Sequence, residues 1–432
     1  MLKRNPIILL INPPSSSVED DRVEPPLGLL YIISTLRENK LNNVSLLDMT
    51  GNQDEIAISN KIESIPFANV YGISCLSTNY QYVKRIINHI KLSYPNSCTV
   101  IGGPHPSAVP EFTSKDSCAD TVVVGEGEDA FSDIIVGYAK GMTPKSIIYG
   151  KGREDIDSYA FPARWAVDTS TYSRQLAEQP VVSLLSSRGC AYHCVHCNSV
   201  VMGGGSIGVR YRTPDNVIKE IETLRDGFTF YRFNDDHFSG NPKLEELLIK
   251  IKDLDIGFRI FARVEDLDDR TCKLLKEAGC IHITVGLESL DEDNLKAIGK
   301  KRQAGKEGNI KIAKAHGLTV RSSFMVGLPY DNDKSIIASF QKASKLGIDE
   351  FAVYPLIPYP GTLIWKYPER FGYTIAHSDF ADYVQMGREG KTCYALQHTN
   401  FTPNDVMRWK EMATVLLQLG GVKHMRESEI AK

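Results

Sequence analysis

Short runs of apolar, often β-branched residues alternate with helical patterns along the first third of the chain. This alternation predicts a parallel sheet, because parallel strands need long crossover connections that are usually helical. The predicted strands are 7–11, 44–48, 70–74, 99–101 and 121–124, and the predicted helices are 27–39, 80–94 and 128–139. Residues 1–150 are therefore predicted to form a doubly wound α/β domain, whose ligands would bind beyond the carboxyl ends of its strands.

The periodicity fades over residues 151–179, which we interpret as a linker, and a second βα series follows. Its predicted strands are 181–186, 230–234, 259–262, 282–285, 319–326 and 350–354. Its predicted helices are 214–225, 243–252, 268–278, 291–298 with 309–316, and 334–346. These units predict a partial (β/α)6 barrel over residues 180–362, with its active site at the C-terminal ends of the strands. Residues 363–432 are predicted to form a short C-terminal tail, helical at 403–424, that caps the substrate site.

The net charge of the chain and its lack of long apolar runs limit the kinds of partner that it is expected to bind. The chain has 432 residues, with 50 Lys and Arg against 53 Asp and Glu. The net charge of −3 provides no broad basic field for a nucleic-acid backbone, so we do not expect nucleic acid as a partner. The apolar run at 7–11 is too short for a signal peptide, and no run approaches the ~18 apolar residues of a membrane helix. We therefore expect a cytoplasmic protein that binds no membrane.

The strongest chemical signal is a cysteine motif directly after the first predicted barrel strand. Cys190, Cys194 and Cys197 have the spacing C-x3-C-x2-C, so one loop can present three thiolates to one compact metal centre. A [4Fe–4S] cluster normally takes four thiolates, and three would leave one iron open for a further ligand. The alternative is a structural zinc site with His193 or His196 as the fourth ligand. Zinc motifs usually combine two C-x2-C halves, and the chain has no second half.

Downstream segments give the second half a resemblance to the radical S-adenosylmethionine (SAM) superfamily. They follow the cysteines in the family's order: Asn234-Asp235-Asp236-His237-Phe238, Gly286-Leu287-Glu288-Ser289, Lys300, Phe324-Met325-Val326-Gly327-Leu328-Pro329, and Tyr354-Pro355 with Pro358-Tyr359-Pro360-Gly361-Thr362. The resemblance covers about residues 181–362 and implies a [4Fe–4S] cluster on the three cysteines. The SAM contacts that it implies are Tyr192, His196, Asp235, Asp236, Glu288, Ser289, Lys300, Met325, Gly327 and Tyr354.

In this family SAM binds the open iron through its amino and carboxylate groups. The resemblance implies that Asp235 approaches the SAM amino group, that Glu288 contacts SAM, and that Lys300 binds its carboxylate. One electron from the reduced cluster then cleaves SAM, usually to methionine and a 5′-deoxyadenosyl radical. A flavodoxin- or ferredoxin-type protein is the expected electron donor, and the enzyme is expected to be oxygen-sensitive.

The first half is similar to the cobalamin (B12)-binding domain that precedes one branch of this superfamily. The segments are Asn12-Pro13-Pro14, Pro25-Pro26-Leu27-Gly28-Leu29-Leu30-Tyr31, Gly72-Ile73-Ser74-Cys75, Gly102-Gly103-Pro104-His105-Pro106 and Val124-Gly125-Glu126-Gly127-Glu128. The implied cobalamin contacts are Asn12, Pro13, Gly28, Ser74, Ser77, Thr78, Gly102, Gly103, His105, Gly125 and Glu126. The Asp-x-His-x-x-Gly loop that ligates cobalt in other cobalamin domains is replaced here by Asn12-Pro13-Pro14-Ser15-Ser16-Ser17.

Three functions follow from these patterns. The first is cobalamin-dependent methylation of an unactivated carbon in a small molecule or secondary metabolite. The second is a cobalamin-independent radical SAM reaction: a dehydration, rearrangement, cyclisation, or C–C or C–S bond formation. The third is a zinc-stabilised binding module without catalytic activity. Tyr383, Arg388 and His398 are candidate substrate contacts in the tail; the alternative is that each is a solvated polar side chain.

Overall fold

The computed structural model describes residues 6–15, 18, 20–51, 54–199, 201, 208–375, 380, 383 and 395–425. The chain divides into two compact units. The first is built on Met1–Ser173 and includes Phe380 and Tyr383, and the second is built on Arg174–Val200, Gly208–Ser378 and the C-terminal residues from Thr392. Among the described residues, no helix combines the length and apolar character that are needed to cross a bilayer.

The first unit alternates strands and helices as predicted. Its strands are β1 (Ile8–Asn12), β2 (Val44–Asp48), β3 (Val70–Ser74), β4 (Cys98–Gly102), β5 (Thr121–Gly125) and β6 (Ile147–Gly150). Its helices are α1 (Leu27–Glu38), α2 (Glu55–Glu63), α3 (Tyr80–Ser93), α4 (Pro104–Ala108), α5 (Pro110–Asp116) and α6 (Glu128–Ala139). The strand β6 and the helices α2, α4 and α5 were not predicted, because they are short and only partly apolar.

The sheet of this unit is parallel and has the order β2-β1-β3-β4-β5-β6. Successive residues of β1 enter opposite cores: Leu9 and Ile11 pack on the side of α3, and Ile8 and Leu10 on the side of α1 and α6. Apolar residues on both faces are the mark of a doubly wound sheet. The order in which strands are added to the sheet reverses between β1 and β3, and folds of this kind bind ligands at such a point.

The segment predicted as a linker belongs mostly to the first unit. Ala163 is buried in its core. Arg153 forms a bidentate ion pair with Asp129, at 2.9 and 2.7 Å, and the Tyr172 hydroxyl donates to Asp48 at 2.5 Å. These contacts are made by irregular backbone, which explains why the segment shows no periodicity.

The second unit contains the predicted βα series. Its strands are β7 (Gln175–Leu176), β8 (Gln179–Leu184), β9 (Ser187–Arg188), β10 (Arg210–Tyr211), β11 (Phe230–Phe233), β12 (Gly257–Ala262), β13 (Cys280–Glu288), β14 (Thr319–Val326), β15 (Glu350–Pro355), β16 (Tyr373–Ile375), β17 (Leu396–His398) and β18 (Lys423–His424). Its helices are α7 (Pro214–Leu224), α8 (Leu244–Lys252), α9 (Asp269–Glu277), α10 (Glu292–Ala297), α11 (Asn309–Ala315), α12 (Asp333–Ala343), α13 (Leu363–Lys366) and α14 (Pro403–Leu419).

The main sheet of this unit has the order β18-β15-β14-β13-β12-β11-β8-β7, and only β7 is antiparallel to its neighbour. The two edges are different strands that do not pair with each other, so the sheet is an open, partial barrel. Side chains of Thr213, Asp268 and Asn332 cap the first turns of α7, α9 and α12. In the tail, α14 packs its buried Trp409 beside α12, where the indole nitrogen donates to Asp333 at 2.7 Å.

Candidate active site

The three predicted cluster ligands lie on the loop that follows β9. Cys190, Cys194 and Cys197 are free thiols; Cys194 is buried and the other two are half-buried. Burial raises the pKa of Cys190 and of Cys197, and the charges of neighbouring thiolates add to the increase. The three sulfur atoms therefore lie within electrostatic range of one another, on one loop.

This donor set fits a [4Fe–4S] cluster. Burial and nearby negative charge disfavour the thiolate forms of Cys190 and Cys197, and a cationic centre would stabilise thiolates there. The described residues contain no group of three His, Cys, Asp or Glu side chains that converge on a single metal ion. A four-iron cluster does not need that convergence, because each thiolate binds a different iron.

The cluster loop is held by backbone contacts to distant parts of the barrel. The Val195 N–H donates to the carbonyl of Ile298 at 3.2 Å, and the Val195 carbonyl accepts the Ile364 N–H at 3.2 Å. Gly299 has φ +79°, and a Cβ there would lie 3.3 Å from the His193 carbonyl oxygen. The loop thus packs against the segment after β13 at a point where a larger residue would crowd it.

Two aromatic–basic contacts surround the middle cysteine. The Arg263 guanidinium, at the end of β12, lies 3.7 Å from the centroid of the Tyr192 ring and 4.0 Å from the Cys194 sulfur. Tyr192 also packs edge-on against His237, at 5.3 Å, and His237 Nε2 lies 2.6 Å from an Asp266 carboxylate oxygen. Arg263 therefore places a positive charge next to a cluster thiol.

The predicted SAM residues Glu288 and Lys300 form an ion pair at the end of β13. The Lys300 ammonium lies 3.1 Å from Glu288 Oε1 and donates to the Gly286 carbonyl at 2.5 Å. Glu288 has φ +61°, and the register of β13 with β14 shifts between Gly286 and Glu288. A Cβ on Gly286 would overlap the Glu288 carboxylate, so a larger residue there would displace that carboxylate from its present position. Burial lowers the pKa of His196 to about 4, while Glu288 and Lys300 act on it in opposite directions.

The adjacent carboxylates Asp235 and Asp236 have different environments. Asp235 is 1% exposed and accepts hydrogen bonds from the Ser186 N–H, at 3.0 and 3.1 Å, and from the Ser186 and Ser187 hydroxyls, at 2.7 and 2.5 Å. It joins the end of β11 to the loop after β8, whereas the resemblance implied a contact with SAM. Asp236 is exposed, accepts from the Ser199 hydroxyl at 2.7 Å and lies near the cluster cysteines.

The remaining predicted SAM residues lie at the ends of β13, β14 and β15. Ser289 is buried, and its hydroxyl accepts the Asp291 N–H at 3.1 Å. Met325 is buried in the hydrophobic core of the unit, next to Tyr354 in the strand register. Gly327 has φ +80°, which suits the turn that leaves β14. Ser289 and Met325 are thus used in the protein's own turn and core.

Several predicted cobalamin residues meet at the switch point of the first sheet. Asn12 ends β1 and Pro13 follows it, Ser74 ends β3, and Ser77 and Thr78 lie in the short 3-10 helix after β3. The Asn12 amide donates to Asp48 on β2 at 3.0 Å. In doubly wound folds, ligands bind in the crevice at such a switch point.

The loops after β3 and β4 are locked together. The Cys75 N–H donates to the Gly102 carbonyl at 2.8 Å, and Gly103, φ +111°, would bring a Cβ 2.9 Å from the Cys75 carbonyl oxygen. His105 is 0% exposed, stacks on Tyr80 at 4.3 Å, and its Nδ1 lies 3.1 Å from the Ser77 hydroxyl. Burial lowers its pKa to about 4. His105 was predicted as a cobalamin contact, but it is enclosed by aromatic side chains.

The predicted cobalamin contacts Gly28, Gly125 and Glu126 are less buried than His105. Gly28 is exposed at the start of α1, and a Cβ there would meet nothing within 4 Å. Gly125 has φ +82°, and the Glu126 carboxylate accepts the Tyr159 hydroxyl at 3.1 Å.

Two of the three tail residues predicted to contact substrate, Tyr383 and His398, pack against aromatic side chains. Tyr383 is buried in the first unit beside Phe380, with ring centroids 5.8 Å apart. His398 stacks on Phe401 at 4.1 Å, inside the aromatic packing of the second unit. Arg388 lies outside the described residues.

Two family models match the chain. The radical SAM superfamily model matches residues 184–343, and the B12-binding domain model matches residues 20–135. An uncharacterised methyltransferase of Pyrococcus horikoshii is 31% identical over 388 residues, which are 83% of this chain and 82% of that protein. The fold and the cysteine loop thus define a radical SAM enzyme. More specifically, the chain belongs to the branch of the radical SAM superfamily that carries a B12-binding domain before the radical SAM domain.

Two further proteins show how far the likeness extends. The bacteriochlorophyllide d C-12(1)-methyltransferase of Chlorobaculum tepidum is 25% identical over 87% of this chain and 80% of its own. The radical SAM methyltransferase TsrM of Kitasatospora setae, solved with tryptophan and a SAM analogue, has a TM-score of 0.69 at 17% identity, covering 96% of this chain and 89% of its own. That likeness confirms the predicted pair of α/β domains.

Membership of an enzyme family excludes the zinc-stabilised binding module. The sequence analysis missed Arg263 and Asp266, which contact the cluster loop and its neighbour His237. The signal for Arg263 was its place directly after a predicted barrel strand, where active-site residues of such barrels lie.

Proposed function

We propose that this protein is a cobalamin-dependent radical SAM methyltransferase that methylates an unactivated carbon of a small molecule. The observation that carries the proposal is the presence, in one chain, of three free thiols on a radical SAM loop and a matched B12-binding domain. The names of the two relatives described above, both methyltransferases, support methyl transfer as the reaction.

In this proposal Cys190, Cys194 and Cys197 would hold a [4Fe–4S] cluster, at which SAM would bind. When bound, the reduced cluster and SAM supply a 5′-deoxyadenosyl radical, and methylcobalamin supplies the methyl group. The chain's own residues position these groups. Glu288 and Lys300 present fixed opposite charges to the SAM amino and carboxylate groups, because their ion pair is buried beside the loop. Arg263, which also pairs with Glu265 at 2.7 Å, lies 4.0 Å from the Cys194 sulfur and would border the cluster.

Cobalamin would occupy the crevice at the ends of β1 and β3. The loop after β1 contains no histidine, and His105 is enclosed, so neither position would offer a histidine ligand to cobalamin. We therefore expect cobalamin to be held by its corrin periphery and tail, without a histidine ligand.

Metal and corrinoid analysis tests this proposal. The protein is purified without oxygen, reconstituted with iron, sulfide and cobalamin, and assayed for iron, zinc and corrinoid together with its visible spectrum. We expect about four irons and bound corrinoid per chain. Cys197→Ala should lose the cluster, whereas Cys118→Ser, at an exposed cysteine outside the loop, should keep it. Zinc without iron would refute the proposal.

Turnover with methyl-labelled SAM and a flavodoxin- or ferredoxin-type donor tests methyl transfer. Label in the methylated product supports the methyltransferase. The absent histidine after β1 favours a second candidate, a cobalamin-independent radical rearrangement or bond formation. Four irons with no retained corrinoid, and no label in the product, would select that candidate.

A further inference from the structure

One arginine at the C-terminal end of the barrel strands contacts the cysteine loop. Arg263 directly follows β12, and its side chain is 10% exposed. Its Nη1 lies 4.0 Å from the Cys194 sulfur, at the outer limit of a hydrogen bond to sulfur. The centre of the guanidinium lies 3.7 Å from the centroid of the Tyr192 ring, a cation–π contact. Both contacts are to the loop that carries the three cysteines, so the guanidinium packs against that loop.

Other contacts anchor Arg263 in this position. Its Nε donates to Glu265 Oε1 at 2.7 Å, and its main-chain N–H donates to the Ser239 hydroxyl oxygen at 3.3 Å. The Ser239 hydroxyl donates in turn to Asp266 at 2.8 Å. These anchors use the backbone and Nε of the arginine. They leave its two terminal nitrogens for other partners.

The terminal nitrogens have hydrogen-bond donors that the protein leaves unused. In the described part of the chain, Nη2 is buried without a hydrogen-bond partner, and the contact recorded for Nη1 is the long one to the Cys194 sulfur. A buried donor without an acceptor costs free energy. The sulfur atoms of an iron–sulfur cluster accept hydrogen bonds. Cys194 is itself buried and is one of the three predicted ligands, so a cluster bound there would bring such acceptors to Arg263.

We propose that Arg263 donates hydrogen bonds to sulfur atoms of the cluster and thereby raises the reduction potential of the cluster. This inference rests on the proposed function, which assigns a [4Fe–4S] cluster to the three cysteines. Reduction adds one negative charge to such a cluster, so N–H donors and a cation beside its sulfurs stabilise the reduced form more than the oxidised form. Arg263 therefore makes it easier for a flavodoxin- or ferredoxin-type donor to deliver the electron.

Glu265 opposes this effect, because its negative charge disfavours the reduced form. Its Oε1 holds Arg263 Nε, and its Oε2 is buried without a hydrogen-bond partner. The arginine and the glutamate therefore set the potential together, with opposite signs. Glutamine at position 265 would remove the charge and keep an oxygen that can accept from Nε, so the two contributions can be measured separately.

Anaerobic redox titration of the reconstituted full-length protein tests the inference. Mediator dyes and dithionite set the potential without SAM, and electron paramagnetic resonance measures the reduced cluster. At the potential that half-reduces the natural protein, Arg263→Gln should show a ratio of reduced to oxidised cluster about tenfold lower, which is 59 mV for one electron. Arg263→Lys should show a smaller decrease, because it keeps the charge and loses the planar fork. Glu265→Gln should show a higher ratio.

Arg270→Gln is the matched control, because Arg270 is exposed and pairs with Glu245. Its ratio should equal that of the natural protein, and a decrease as large as in Arg263→Gln would overturn the inference. An unchanged ratio in Arg263→Gln, or a lower ratio in Glu265→Gln, would also overturn it. If Arg263→Gln holds no cluster, the other two variants decide, and unchanged ratios in both would refute the role of Arg263.

Iron content distinguishes this inference from the proposed function. A natural protein without iron would refute the proposed function and the inference together. About four irons per chain in the natural protein, with the same potential in the natural protein and in the variants at 263 and 265, would leave the proposed function standing and refute the role of Arg263 alone.

Discussion

Replacing Asp235 by alanine separates a structural role from a SAM-binding role. The resemblance to radical SAM enzymes implies that Asp235 approaches the SAM amino group. In the structure, both of its carboxylate oxygens accept hydrogen bonds from Ser186 or Ser187. We expect Asp235→Ala to destabilise the second unit, because it detaches the end of β11 from the loop after β8.

The magnitude follows from the donors that lose their acceptor. The Ser186 N–H is buried and cannot turn towards another acceptor, so leaving it without a hydrogen bond costs about 1–3 kcal/mol. The buried hydroxyls of Ser186 and Ser187 also lose their acceptor, but they can rotate, so each costs less than the N–H. Burial raises the pKa of Asp235, which means that the buried carboxylate is itself unfavourable. Its removal therefore offsets part of the lost stability. A net cost of about 2–4 kcal/mol corresponds to a melting temperature lower by roughly 5–15 °C for a unit of this size.

Anaerobic differential scanning fluorimetry of the reconstituted protein measures this change, and equilibrium dialysis measures SAM binding. Asp236→Ala is the matched control, because the neighbouring carboxylate is exposed and accepts one recorded hydrogen bond. Its melting temperature should stay within about 2 °C of the natural protein. If Asp235→Ala melts like the natural protein but no longer binds SAM, the structural interpretation of Asp235 is wrong.

Three other changes test separate parts of the structure. Gly103→Ala should lower the free energy of unfolding, measured in urea, by about 2–4 kcal/mol, because φ is positive and the new Cβ overlaps the Cys75 carbonyl. Gly141→Ala, where φ is positive but the space is open, should lower it by about 1–2 kcal/mol. Equal losses in the two variants would refute the overlap. Lys300→Met should lower the free energy of unfolding by about 3–5 kcal/mol, because it leaves the buried Glu288 carboxylate without its ion-pair partner. Lys301→Met, at an exposed lysine, should leave the melting temperature unchanged when both variants are measured by thermal unfolding. The pKa of His105 is about 4 in the folded state and lies near 6.5 in the unfolded state, so the unfolded state binds the proton first as pH falls. Stability that is complete above pH 6.5 should therefore drop by up to roughly 3 kcal/mol towards pH 4, and urea titrations of His105→Gln should show a smaller drop; an equal drop would contradict the assignment.

The order of secondary structure was predictable because both units are made of βα repeats. Buried parallel strands produce continuous apolar runs such as Val70–Ser74, and the connecting helices have an apolar stripe, so both signals are local. The short strand β6 and the irregular segment 151–173 give no such signal. Their positions depend on contacts such as Arg153 with Asp129, which lie far apart in the chain.

For the candidate site, the sequence by itself determined the three cysteines, because one loop carries all three at a fixed spacing. It also determined the two-domain class, since motif order is a property of the chain. Only the tertiary structure decided which charges meet. In the folded protein Asp235 accepts hydrogen bonds from buried serines, Lys300 pairs with Glu288, and His105 is surrounded by aromatic rings. The physical reason is that burial and electrostatic pairing depend on distance in space, and strands that are far apart in the sequence bring these side chains together.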